Sequence, residues 1–206
     1  MAEEISKVAN FDMDNTLCDY MGSMRYWLKC LSSPEEPVFD LNSKDTPPLY
    51  VSQRMSLIKQ IPGWWKQLPI LTTGMSLLTM AKEIGFRINI LTKGPWKSEQ
   101  AWTEKVQWCR ENIDVEHEIT ITQDKSLVYG KILVDDWPEY IIPWLNSRPR
   151  GLVLMPAYEY NEHLKHPNVI RINNRYSHST IKESLIVAYN RKPGEEVDWS
   201  KFGSNK

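Results

Sequence analysis

The stretch Val8-Ala9-Asn10-Phe11-Asp12-Met13-Asp14-Asn15-Thr16-Leu17 decides how the rest of the chain is read. Val8, Ala9 and Phe11 give the apolar run of a buried strand. The strand closes on two acids spaced i, i+2, whose side chains point the same way. Two such carboxylates repel each other, and a cation or a shared proton would offset that repulsion. Asn15 suits the left-handed conformation that a tight strand-to-helix turn needs. Alone, the stretch is equally consistent with solvated acids beside an Asx turn, so the rest of the chain has to decide.

Outward from this strand, 17–31 keeps the i, i+3/i+4, i+7 apolar spacing of a helix, through Leu17, Tyr20, Met21, Met24, Trp27, Leu28 and Leu31. Residues 34–48 have no period and read as a loop. A second helix is expected over 51–61 and ends at Pro62-Gly63. A third is expected with Thr73 as its cap and Gly85 as its stop. Strands follow at 87–92, 117–122, 131–134, 151–155 and 169–172, and helices at 98–112 and 179–189. Short apolar strands alternating with helices predict an α/β fold: a mostly parallel, Rossmann-like sheet covered by helices on both faces. Some seventy residues separate Asp14 from the second strand, whereas a crossover needs only about 10–12. The excess predicts a small helical cap inserted after the first strand. The expected division is a core of residues 1–17 and 77–206 and a cap of residues 18–76.

The composition narrows the function. Lys and Arg number 25 against 26 Asp and Glu, which argues against bulk nucleic-acid binding through a basic surface. Cys18, Cys30 and Cys109 form neither a disulfide framework nor a metal-binding spacing, so a reducing, cytoplasmic setting is expected. No apolar run reaches the ~18–20 residues of a membrane span. The absence of a Gly-x-x-x-x-Gly-Lys loop argues against a kinase of that class.

Four polar signals fall at or after strand ends: Asp12 with Asp14, Thr92 with Lys93, Lys125, and Asp135 with Asp136. In a parallel sheet these ends share one edge, where ligands bind. Acids, a hydroxyl and a lysine together suit a phosphate bound beside a divalent cation. Tyr20, Trp64 and Trp65, within the inserted segment, are candidates to stack a flat ligand, and packing among the helices is the alternative role for each.

In order and register, Asp12-Met13-Asp14-Asn15-Thr16-Leu17, Thr92, Lys125 and Asp135-Asp136 resemble the four motifs of the haloacid-dehalogenase-like phosphatase superfamily. Within it the chain is similar to the 5'(3')-deoxyribonucleotidases, through Pro62-Gly63-Trp64-Trp65-Lys66-Gln67-Leu68, Ala101-Trp102-Thr103-Glu104-Lys105 and Thr122-Gln123-Asp124-Lys125. Two departures stand out. Asn15-Thr16 replaces the family's usual Gly-Val, and Lys93-Gly94-Pro95 follows the motif threonine where the family has Ser-Pro.

The resemblance implies a Mg²⁺-dependent phosphomonoesterase for nucleoside monophosphates, with deoxyribonucleotides favoured. It makes Asp12 the nucleophile and Asp14 the general acid and base. Asp12, the Asp14 carbonyl and Asp136 would hold the metal, with Asp135 as the alternative to Asp136. Thr92 and Lys125 would hold the phosphoryl group, with Lys93 as a further donor. The expected partner is a small nucleotide, and a homodimer is admitted. The rivals are a superfamily phosphatase for another small phosphate or a polynucleotide end, and a phosphate-binding regulator without turnover.

Overall fold

The computed structural model describes residues 7–203 except 44, 97, 114–117 and 174–176. Six strands form one parallel sheet: β1 (Val8–Phe11), β2 (Arg87–Thr92), β3 (Glu118–Ile121), β4 (Ile132–Val134), β5 (Leu152–Pro156) and β6 (Val169–Ile172). Their spatial order is β3-β2-β1-β4-β5-β6. The expected α/β sheet is therefore present. The order reverses between β1 and β4, the place where doubly wound sheets open a crevice beyond the strand ends. His117, expected to begin the third strand, lies outside the described residues.

Burial on both faces explains why the central strands read as unbroken apolar runs. Ala9, Phe11, Ile88, Ile90, Ile132, Val134, Leu152 and Leu154 belong to one core. Leu91, Leu133, Val153 and Met155, on the alternate positions, belong to a second. The first is covered by α3 (Thr72–Ile84), α4 (Glu99–Asn112) and α6 (His178–Asn190), which contribute Leu77, Trp108 and Leu185. The second is covered by α5 (Pro138–Ser147) through Ile141, Trp144 and Leu145. The short α7 (Ser200–Gly203) ends the described chain.

The turn after β1 is tight. The Met13 carbonyl accepts from the amides of Thr16, Leu17 and Cys18. Asn15 has φ 53°, the left-handed value expected of it, and its Oδ1 accepts from the Met21 amide at 2.9 Å. This coil takes up residues 13–18, so α1 (Tyr20–Cys30) begins three residues later than its apolar spacing suggests. Asp19 caps it by accepting from the Gly22 amide at 2.7 Å.

The segment holding α1 and α2 (Leu49–Ile58) leaves and rejoins the sheet through a narrow neck. The Asp19 amide donates to the Pro69 carbonyl and the Leu71 amide to the Leu17 carbonyl, each at 2.8 Å. The expected boundary after residue 76 falls inside α3, which is one unbroken helix whose Leu77, Leu78, Met80 and Ala81 belong to the main core. Thr73 does not cap α3. The helix starts one residue before it, with Leu71 at the N-cap and no side-chain cap. Gly85 ends α3 at φ 105°, as expected. Gly74 has a different role: a Cβ there would lie 1.8 Å from the Thr16 carbonyl oxygen, so its absence lets α3 rest directly on the turn after β1.

Candidate active site

β1 and β4 are neighbours, and the Asp12 amide donates to the Val134 carbonyl at 2.8 Å. That pairing brings Asp12 beside Asp135 and Asp136 at the carboxyl edge. Each of the three offers one oxygen to a group spanning no more than 4.8 Å, and all three are buried. A short 3₁₀ turn (Lys125–Leu127) sets Lys125 beneath them. Its Nζ lies 2.7 Å from Asp12 Oδ1 and 2.6 Å from Asp135 Oδ2. Burial alone would lower the lysine's pKa, yet Asp12 and Asp135 together hold it above the ordinary range.

The two adjacent acids differ in what remains open to them. Asp135 Oδ2 is taken by Lys125, and its Oδ1 accepts from the Trp137 amide at 2.9 Å. Among the described residues Asp136 Oδ1 accepts from the Thr16 hydroxyl at 3.3 Å, and its Oδ2 accepts from the Tyr160 hydroxyl. Burial, and then the charges of Asp12 and Asp135, push the Asp136 pKa well up. Asp136 is thus held by two neutral hydroxyls, whereas Asp135 is tied to the Lys125 ammonium.

α4 carries the residue that the sequence reading passed over. Lys105 is fully buried, and its Nζ donates to Asp14 Oδ2 at 2.6 Å and to Thr92 Oγ1 at 3.0 Å. The Thr92 hydroxyl accepts from Lys105, which leaves its own proton to donate. The Asp14 pKa is raised, first by the protein mass around it and further by Asp12, against the opposing pull of Lys105. Glu104, the preceding residue, accepts from the amides of Gly63 and Trp65 at 2.7 and 3.2 Å. One turn of α4 therefore grips both the acid and the inserted segment.

Three buried carboxylates, Asp12, Asp135 and Asp136, and the partly exposed Asp14 gather here around two ammonium groups, Lys105 and Lys125. Acids outnumber lysines, an imbalance that protonation of an acid or a bound cation relieves. Hard oxygens with no thiolate or imidazole among them suit a divalent cation such as Mg²⁺.

Above the acids lies a cavity of about 460 Å³. Asp12, Asp14 and Asp136 form its floor, and Tyr20, Trp65 and Lys93 stand on its walls. Thr92 and Lys125 are absent from its lining: Lys125 is bonded to Asp12 of the floor, and Thr92 reaches Asp14 only through Lys105. Trp64 does not line this cavity. It is 4% exposed and packs edge-on against Tyr20 and Trp65, at 5.4 and 4.8 Å between ring centres, so its expected stacking role gives way to a packing one. The two tryptophan rings pack on each other and on Tyr20, and of the pair Trp65 is the one on the cavity wall. Phe39 and Leu41, from the aperiodic loop, and Trp137 and Tyr140, beyond β4, complete the walls. No spacing in the sequence singled these out.

This fold is shared with solved haloacid-dehalogenase-like hydrolases. A family IA, variant 3 hydrolase from Entamoeba histolytica HM-1:IMSS aligns with TM-score 0.54 and 14% identity over 90% of this chain and 100% of its own. A haloacid dehalogenase-like family hydrolase from Xanthomonas campestris aligns with TM-score 0.55 and 11% identity, over 91% and 99%. A third, from Deinococcus radiodurans R1 and solved with bound phosphate and sodium, aligns with TM-score 0.55 and 12% identity, over 90% and 97%. Comparison with curated proteins found no matching relative.

The class is that of the haloacid-dehalogenase-like phosphatases. Within it, the chain belongs to the 5' nucleotidase, deoxy (pyrimidine), cytosolic type C family, whose profile it matches over residues 6–178. It is a phosphatase of the 5'-nucleotidase kind. Among the described residues no helix is long and apolar enough to cross a membrane.

Proposed function

We propose that the protein hydrolyses deoxyribonucleoside monophosphates through a phosphoryl group carried on Asp12. The observation that carries this reading is the pairing of two carboxylates with two separate buried lysines. Lys125 fixes Asp12 at one oxygen and leaves the other to attack phosphorus. Lys105 fixes Asp14, whose raised pKa suits it to donate a proton to the leaving oxygen and then to take one from water. Thr92 and Lys125 donate to the phosphoryl oxygens and offset the charge that develops on them. Mg²⁺, held by Asp12, the Asp14 carbonyl and Asp136, would supply further neutralisation of phosphoryl charge when bound.

Residues 18–70, entering and leaving by one neck, act as a cap that brings Tyr20 and Trp65 over the acids and shuts out water. Lys93 reaches the outer phosphoryl oxygens from the wall. The cavity of about 460 Å³ is of the size that holds a nucleotide-sized ligand. The three cysteines are free thiols, and the family is described as cytosolic, which supports a cytosolic setting.

The test is phosphate release over all ribo- and deoxyribonucleoside monophosphates, with Mg²⁺ and with EDTA. Turnover of deoxynucleotides that needs Mg²⁺ is expected. Faster turnover of sugar phosphates than of any nucleotide would overturn the substrate assignment.

A further inference from the structure

The edge of the sheet opposite the acids carries a second cavity, of about 670 Å³. Lys7 lines it just before β1, Lys131 just before β4, Arg148 and Arg150 before β5, and Arg191 and Lys192 after α6. Parallel strands all begin at this edge, so cations distant in sequence meet here. Among the described residues, none of the six makes an ion pair with a carboxylate.

Their donors go to neutral groups instead. Lys131 Nζ donates to the Tyr189 and Arg191 carbonyls at 2.8 and 2.7 Å. Arg191 donates to the Arg150 carbonyl, and Arg148 to that of Ser126. Carbonyls satisfy these donors without cancelling a charge. Among the described residues two demands remain unmet. The buried Nε of Arg148 has no acceptor there. Lys7 Nζ faces the ring of Tyr189, 4.1 Å from its centre, and no carboxylate among those residues. The acids acting on the cluster are Glu195 and Glu196, and Glu195 is already engaged by the Lys192 amide at 2.8 Å. Burial, then Arg191 and Lys7, lower the Lys131 pKa, and burial, then Arg150, lower that of Arg191. Among the described residues six cations meet two acids here, and that excess of positive charge costs stability unless an anion joins it.

We propose that this cavity is a second anion site, separate from the phosphatase cleft, that takes a small phosphate-bearing polyanion of the size and charge of a nucleoside triphosphate. Arginine forks and ammonium groups converging from several elements are the donors that phosphate chains recruit. The volume matches that of small-molecule sites, and Tyr129 and Tyr189 on its walls offer aromatic surface to a base. The same phosphates could arrive as inorganic polyphosphate, and the experiment separates the two. The inference does not depend on the nucleotidase reading.

Binding is measured by calorimetry on the whole chain in EDTA, with tripolyphosphate, deoxythymidine triphosphate and a series of single-stranded oligonucleotides as probes. The wild type is compared with Lys7→Gln/Arg150→Gln. Saturable one-to-one binding of tripolyphosphate is expected, weakened at least ~10-fold in the double variant. The unliganded double variant should melt no lower than the wild type, since repulsion is relieved. If it is too unstable to titrate, Arg150→Gln/Lys192→Gln gives the same test at more exposed positions. Tighter binding of the triphosphate assigns a role to the base, and equal binding assigns the site to the phosphate chain alone. The proposal is overturned by absence of saturable binding. Affinity unchanged in the double variant overturns it too, since that puts the anion in the cleft. So does oligonucleotide affinity that exceeds both and grows with length.

Discussion

The ammonium of Lys105 lies 2.6 Å from Asp14 Oδ2, across 91 positions of sequence, and reaches Thr92 Oγ1 at 3.0 Å with the same nitrogen. This one buried cation fixes Asp14, the proposed general acid, and the Thr92 hydroxyl relative to each other. A buried charge that loses its partner is costly, so the pair acts as a unit.

Lys105→Met should therefore do more than slow the enzyme. We expect kcat/KM to fall about 100-fold, the scale of a misplaced general acid. The pH profile carries the sharper signature. Asp14 must hold a proton to donate it, so kcat/KM falls as pH rises through its pKa. Lys105 lowers that pKa, so removing it moves the alkaline limb to higher pH. A limb that stays in place, or moves down, contradicts the role.

Tyr160 holds Asp136 by a hydrogen bond to Oδ2, and Asp136 lines the cavity above the acids. Partners of metal-ligating carboxylates are worth about 10-fold or more in metal affinity. In Tyr160→Phe the Mg²⁺ concentration for half-activation should rise by about that factor, with kcat at saturating Mg²⁺ largely kept. An unchanged Mg²⁺ dependence would remove Tyr160 from the account.

The aromatic residues of the cap should separate into two kinds. Stacking on a base is worth about 1–3 kcal/mol, so Tyr20→Leu and Trp65→Leu should each lower kcat/KM for a nucleotide about 5- to 150-fold. p-Nitrophenyl phosphate, which lacks a base, should be affected far less. Trp64→Leu should instead lower the melting temperature and reduce both substrates together, because Trp64 is packed behind the other two rings. Parallel loss in all three variants would leave no stacking role for any of them.

Asn15 is held at φ 53° and also caps the Met21 amide. Asn15→Ala loses both and should cost about 1–2 kcal/mol of stability. Asn15→Gly recovers the backbone freedom and should cost less, as thermal denaturation of the two variants would show.

The fold could be read largely from short-range signals. β1, β4 and β5 are buried on both faces, and that produces unmistakable apolar runs. The acids at the carboxyl edge were legible because strand direction and order bring them together. α5 was not anticipated, because Pro143 interrupts a pattern that a helix ordinarily keeps clear of proline. Lys105 sits among charged residues on an amphipathic helix, where a solvated lysine is the ordinary expectation. Only the packing of α4 against the turn after β1 shows otherwise. Tyr160 and Asn161 were hidden for a different reason: they lie on a single 3₁₀ turn with no period to read. Asn161 is buried and donates to the Asp136 and Pro156 carbonyls at 2.9 and 2.8 Å, bracing that edge from below.

The central claim is that Asp12 carries the phosphoryl group. It is tested most directly by mixing enzyme, Mg²⁺ and a deoxyribonucleoside monophosphate, quenching in acid within one turnover, and locating the modification by peptide mass spectrometry. The account predicts the mass of one phosphoryl group on the peptide containing Asp12, lost on brief exposure to base and absent from Asp12→Asn. Full turnover by Asp12→Asn, or a phosphoryl group on any other residue, would contradict it.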